Sequence, residues 1–212
     1  MSAVATDRRT TAAERNGEFL SRVTAWICTL GGLTGLLAAA VLTVERLHLA
    51  VDPGYVPTCS INPVLACGSV MTSEQAQAFG IPNTLIGVAG FAVVSTIGVA
   101  LLARVPLPRW FWFGLQAGAT FGVIFVHWLV YQSLYVIGAL CPYCMLVWAA
   151  TIPIFLYVTA HNLHTNAGVL PGPLRPPLAA VVRYHSLLLV LWYAAIVAAI
   201  LHRFRAYWTT FG

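Results

Sequence analysis

Residues 140–160 read LCPYCMLVWAATIPIFLYVTA. The run holds no Asp, Glu, Lys or Arg. As a helix rising about 1.5 Å per residue it reaches across a hydrocarbon layer about 30 Å thick. It opens on Cys141-Pro142-Tyr143-Cys144, a CxxC. Pro142 suits the first helical position, where a missing N–H costs nothing. Cys141 then lies near the cap and Cys144 in the first turn. Unpaired N–H groups and the positive helix end favour a thiolate at such places.

The same apolar signature recurs on both sides of this stretch. Val23–Leu47, Leu85–Ala103, Trp110–Gly138 and Ser186–Leu201 read as further spans, giving an all-α integral membrane protein with five transmembrane helices. Only 8% of the chain is charged and 59% is hydrophobic, where soluble domains carry about 25% charged residues. The first run is longer than the roughly 7–15 apolar residues of a cleaved leader, so it is expected to be retained. The reading divides the chain into a cytoplasmic tail (1–21), a core (22–160) with one long external loop (48–84), a connector (161–185) and a fifth helix with an external tail (186–212). The connector carries Pro171, Pro173, Pro176 and Pro177. Residues 70–79 are expected to form a short interfacial helix with Thr72 or Ser73 near its cap. Gly31, Gly35, Gly114, Gly118 and Gly122 recur four apart, a spacing that suits close helix packing inside the bundle, or a homodimer seam.

The net charge of +5 is carried by arginine alone, with no lysine. The arginines flank apolar runs singly or in small groups, where topology signals belong, and do not form the basic face of a nucleic-acid binder. Arg8, Arg9, Arg15, Arg22, Arg104, Arg109, Arg175 and Arg183 fall on one side by parity; Arg46, Arg203 and Arg205 fall on the other. The side with eight is expected to be cytoplasmic, with the amino terminus on it.

Five cysteines are present: Cys28, Cys59, Cys67, Cys141 and Cys144. Cys28 lies alone in an apolar helix, where free cysteine packs as a small hydrophobe. Two spans separate the Cys59/Cys67 pair from the CxxC, so both pairs face the same side whichever way the chain inserts. The arginine count makes that side external, where disulfides persist. Three chemistries suit two such pairs: thiol–disulfide exchange, a pair of static staples, and zinc. Zinc needs four ligands, and a set split astride two spans is an unusual source of them. Exchange suits a CxxC at a helix start, where thiol pKa values fall.

The order and spacing of these residues resemble the vitamin K epoxide reductase family, in its bacterial form, over residues from about 20 to 160. The resemblance rests on loop cysteines with seven residues between them, Ser69-Val70 after them, Asn83-Thr84 opening the second span and the CxxC opening the fourth. It implies a four-helix bundle around a quinone (menaquinone or ubiquinone) plus a peripheral fifth helix, in a bacterial cytoplasmic membrane and without a bound metal. It also implies an electron route. A reduced DsbA-like or thioredoxin-like protein attacks the loop disulfide at Cys59, the freed Cys67 attacks the core disulfide at Cys141, and Cys144 delivers electrons to the quinone. Some bacterial members carry a fused thioredoxin domain; here the partner is expected to be a separate protein. Asn83 matches the position that hydrogen-bonds a quinone carbonyl, and Val70, Met71 and Ile86 match apolar pocket positions. Trp148 stands where animal members often have tyrosine. An indole N–H donates but does not accept, which weakens the transfer of that tyrosine's role and of epoxide chemistry.

Other functions use the same parts. Quinone or quinone-epoxide reduction as the purpose is one. A quinone-linked oxidase of the DsbB type is another, but that type places its CxxC in the first external loop. A non-enzymatic membrane subunit stapled by disulfides is a third. His127 and Tyr131, in the third span, suit an interhelical hydrogen bond or a ligand contact.

Overall fold

The structure, a computed structural model, describes residues 2–52, 54–166 and 180–209, with side chains from residue 17 to 207 within those ranges. The part of the connector with Pro171, Pro173, Arg175, Pro176 and Pro177, and residues 210–212, lie outside the described residues. Seven helices are labelled here: α1 (Ser2–Val51), α2 (Cys67–Met71), α3 (Asn83–Leu102), α4 (Arg109–Tyr131), α5 (Pro142–Thr165), α6 (His185–Arg203) and α7 (Arg205–Thr209). Five stretches are long and apolar enough to cross a membrane: Gly17–Val51, Asn83–Leu102, Arg109–Ile137, Pro142–Thr165 and His185–Arg203. The protein is therefore all-α and multi-pass. The expected tail does not precede the first helix but is its first part, since α1 begins at Ser2; good helix formers such as Ala12, Ala13, Glu14 and Arg15 allow this.

α1 lies between α3 and α5, α4 packs along α5, and α6 leans on α5. Two glycines permit the α1–α3 contact. A methyl on Gly32 would stand 2.7 Å from the Ser95 backbone nitrogen, and one on Gly98 would collide with the Thr29 backbone. The hydroxyls at this seam turn back into their own helices, Thr29 donating to Ala25 O at 2.8 Å and Ser95 to Phe91 O at 2.8 Å, so no polar atom is stranded there. In α4 the packing expectation holds at Gly122, where a Cβ would meet Thr151 Cγ2 at 3.5 Å, and fails at Gly114 and Gly118, where nothing lies within 4 Å. The buried face of α4 runs through Leu115, Ala119, Val123, Val126 and Val130, and each of those two glycines precedes a buried residue by one step, about 100° around the helix.

Pro153 inside α5 has no N–H for the carbonyl four residues earlier, that of Ala149. The Tyr193 hydroxyl of α6 donates to that carbonyl at 2.6 Å. Trp192 Nε1 donates to His127 Nε2 at 2.8 Å, and His127 Nδ1 bonds Val123 O at 2.7 Å. His127 is thus an interhelical tie between α4 and α6, while Tyr131 is 56% exposed and packs beside Tyr135.

The long loop departs from its expected form. Residues 70–79 are not one helix: α2 stops at Met71 and a single 3-10 turn covers Glu74–Gln77. Thr72 donates to Gly68 O at 2.9 Å and Ser73 to Val70 O at 2.7 Å. Ser73 takes an extended conformation, ψ 151°, so the two hydroxyls close α2 rather than starting a longer helix.

Candidate active site

α4 ends in a wide π turn, Gln132–Ile137, closed by Gly138 at φ 71°, a conformation that suits glycine. Arg203 Nε donates to the Leu134 carbonyl at 2.7 Å, satisfying an acceptor at this irregular turn. The chain then runs extended through Leu140, where it forms a parallel bridge with Leu65. Leu140 N–H donates to Val64 O at 2.7 Å, and Ala66 N–H donates to Leu140 O at 3.0 Å. Asn62 supports the other strand: its Oδ1 accepts from Val64 N at 2.9 Å and Leu65 N at 2.7 Å. Cys67 and Cys141 leave this bridge side by side.

Cys59 and Cys67 are joined in a disulfide, and Cys141 and Cys144 are free thiols. The Cys67 and Cys141 sulfurs are 3.0 Å apart. Cys67 and Cys141 are 0% exposed and Cys59 5%, in a cluster with Leu42 and Met71 that Val70, Tyr143 and Cys144 partly cover. Cys28 is also fully buried but packs elsewhere, with Phe91, Ile97 and Ile154.

Cys141 caps α5, with Pro142 at the first helical position. Its thiol is held below its ordinary pKa, first by hydrogen bonding from the Cys144 thiol and then by the Cys144 and Tyr143 backbone N–H groups. Burial and the Glu45 charge oppose this and are outweighed. Cys141 is therefore the thiol of the CxxC that most readily becomes the attacking thiolate. The Sγ atoms of Cys59, Cys67 and Cys141 lie within 4.8 Å of one another. With two of them consumed in a disulfide, this donor set offers exchange chemistry in place of a thiolate cage.

The residues matched to a quinone pocket fall into two groups. Val70 and Met71 pack on the disulfide cluster. Trp148, 3% exposed, lies in a separate cluster with Val64, Val126, Val130, Leu134, Leu140 and Phe204. Cys144 borders both clusters. Asn83 does not cap its own helix, whose N-cap is Pro82. Its amide ties the preceding turn instead, Oδ1 accepting from Ala78 N at 3.1 Å and Nδ2 donating to Gln75 O at 2.7 Å. One amide hydrogen stays uncommitted. The hydroxyl of Thr84, next in sequence, is the sole buried side-chain N or O atom without a hydrogen-bond partner among the described residues. That hydroxyl is a buried polar group left open at the start of α3. Ile86, half-buried, follows in α3.

Sequence reasoning overlooked Glu45. It is 6% exposed and accepts hydrogen bonds from Tyr55 and Thr58. The signal was available: an acidic side chain near the end of an apolar helix is costly and calls for a partner. The model of the vitamin K epoxide reductase family matches residues 26–159, a range that holds both cysteine pairs. No curated protein matches the chain. With its spans, two cysteine pairs in sulfur contact, and a family match over more than half its length, the chain belongs to the vitamin K epoxide reductase family.

Proposed function

We propose that this protein is a quinone-dependent thiol–disulfide oxidoreductase that reoxidises a separate, secreted DsbA-like or thioredoxin-like protein. The observation that carries the reading is the 3.0 Å contact between Cys67 of the loop disulfide and the free Cys141. Exchange requires a thiolate next to a disulfide sulfur, and this pair meets that requirement in a dry cluster.

The route balances as follows. A partner thiolate attacks Cys59, the loop cysteine that keeps some exposure, and Cys67 leaves as a thiolate. The second partner thiol releases Cys59, so the partner gains a disulfide and the loop becomes a dithiol. Cys67 attacks Cys141 of an oxidised CxxC, and Cys144 leaves as a thiolate. Cys59 then attacks Cys67, restoring the loop disulfide and freeing Cys141. Two electrons and two protons now reside on Cys141 and Cys144. A bound quinone supplies the two-electron, two-proton sink. The residues offered to hold it are Asn83 with Val70, Met71, Ile86 and Trp148, and the open hydrogen-bond capacity at Asn83 and Thr84 supports that side of the site. An arrangement with both dithiols on the external face and the amino terminus in the cytoplasm agrees with the arginine distribution.

The test is purified protein with a reduced DsbA-like carrier, following menadione and ubiquinone reduction optically. Each of Cys59→Ser, Cys67→Ser, Cys141→Ser and Cys144→Ser is expected to abolish carrier-dependent turnover. Turnover that survives Cys141→Ser or Cys144→Ser sinks the relay.

A further inference from the structure

Two neighbouring residues of α1 grip opposite flanks of the loop disulfide. Glu45 Oε1 accepts from the Thr58 hydroxyl at 2.5 Å and Oε2 from the Tyr55 hydroxyl at 2.9 Å. Thr58 directly precedes Cys59. Arg46 Nη1 donates to Met71 O at 3.1 Å and to Ala76 O at 3.4 Å. Met71 is the last residue of α2, the helix that Cys67 opens. Successive helical residues point about 100° apart, so one helix end reaches both sides of the loop. Each contact is charge-assisted, the stronger class of hydrogen bond. Arg46 also sits on the side with fewer arginines; its engagement with loop carbonyls explains a charge that topology does not. Neither residue donates or accepts electrons in the exchange route.

We propose that Glu45 and Arg46 are positioning residues for exchange between the two dithiols, Glu45 fixing the segment that enters Cys59 and Arg46 the helix that leaves Cys67. The Leu65–Leu140 bridge fixes the loop backbone at one point. The two side chains stop the disulfide pivoting about that point and keep the Cys67 sulfur against Cys141. The inference rests on the relay reading and deepens it.

The test uses the full chain in detergent with Cys59→Ser and Cys144→Ser, which leaves Cys67 and Cys141 as the facing thiols. Diamide removes two electrons and two protons from them, and the new bond is read as a mass change under non-reducing conditions. No carrier or quinone is needed. Added to this parent, Glu45→Gln and Arg46→Met are each expected to slow bond formation about ten-fold, the scale of a modest misplacement of reacting atoms. Arg46→Lys, which keeps a charged donor, is expected to restore most of the rate. Recovery of the rate in Arg46→Lys but not in Arg46→Met separates positioning by a charged donor from general damage to the fold. Buried Cys28 on the same helix reports the fold, since labelling there marks an unfolded variant. If Glu45→Gln unfolds, Tyr55→Phe with Thr58→Val removes the same contacts from the loop side. Rates equal to the parent in folded variants overturn the proposal. Failure of the parent itself to form the bond removes the relay reading and this one with it.

Discussion

Leu65 and Leu140, 75 positions apart in the chain, pair as a two-residue parallel bridge, and that pairing is what sets Cys67 beside Cys141. The bridge depends on the Ala66 N–H, which donates to Leu140 O at 3.0 Å. Proline at 66 removes the donor and cannot reach the φ of −132° found there. Ala66→Pro should suppress Cys67–Cys141 bond formation in the Cys59→Ser/Cys144→Ser background, while Leu65→Ala, which keeps the backbone bonds, should not. Comparable yields from the two variants would show that the bridge does not align the sulfurs.

Removing the resolving thiol should trap the partner. In Cys67→Ala, Cys59 is a lone thiol; offered a DsbA-like protein that keeps only its attacking cysteine, as a mixed disulfide with thionitrobenzoate, Cys59 displaces the thionitrobenzoate and no thiol remains to release it, so a mixed disulfide should accumulate and disappear on reduction. Cys59→Ala should trap nothing at the loop. A trap that forms equally well in both would contradict entry at Cys59.

The pH dependence of Cys141 follows from its surroundings. A thiol reacts as the thiolate, which is present above its pKa. Because Cys141 lies below the ordinary thiol value, its thiolate, followed by ultraviolet absorbance in the loop-oxidised protein, should form at lower pH than that of an ordinary cysteine. The Cys144 thiol is the largest cause of that lowering. Cys144→Ala should therefore move the midpoint upward. A midpoint unmoved by this substitution would remove Cys144 as the cause.

α6 should loosen when its tie to α5 is cut. Tyr193→Phe strips the donor from the Ala149 carbonyl and should cost roughly 0.6 kcal/mol, the average for such bonds between membrane helices. In Pro153→Ala the helix can supply its own donor to that carbonyl, so the same Tyr193→Phe change should cost less. A double-mutant cycle read by detergent-induced unfolding measures the difference; strict additivity would break the link.

The glycines should differ sharply. Gly98→Leu forces a side chain into the Thr29 backbone, and overpacking of this kind costs about 1–3 kcal/mol or more. Gly118→Ala meets no atom within 4 Å and should leave unfolding unchanged. A destabilised Gly118→Ala would indicate that another surface covers this face of α4.

The spans were legible because a bilayer demands long apolar helices, and Pro142 marked the start of α5 unambiguously. Local geometry at Cys141 followed from that proline. The meeting of Leu65 with Leu140 was not legible, because it is made by backbone atoms whose pairing leaves no side-chain signature. Nor were the local hydrogen-bond partners of Asn83. A polar residue at a helix start reads as a cap, yet its amide reaches back to Gln75 and Ala78, a choice made by the path of the loop. Residues 70–79 misled for a related reason: Thr72 and Ser73 are good caps at either end of a helix, and here they end one. Gly114 and Gly118 carry a packing pattern that this chain alone does not use.

Burial of the Cys59, Cys67 and Cys141 sulfurs has a consequence for chemistry in the surrounding fluid. Cys67 and Cys141 have no exposed surface and Cys59 has 5%, so small thiols such as glutathione find almost nothing to collide with. On the proposed route this burial would insulate the pathway, since a reductant meets the loop disulfide only at the Cys59 edge.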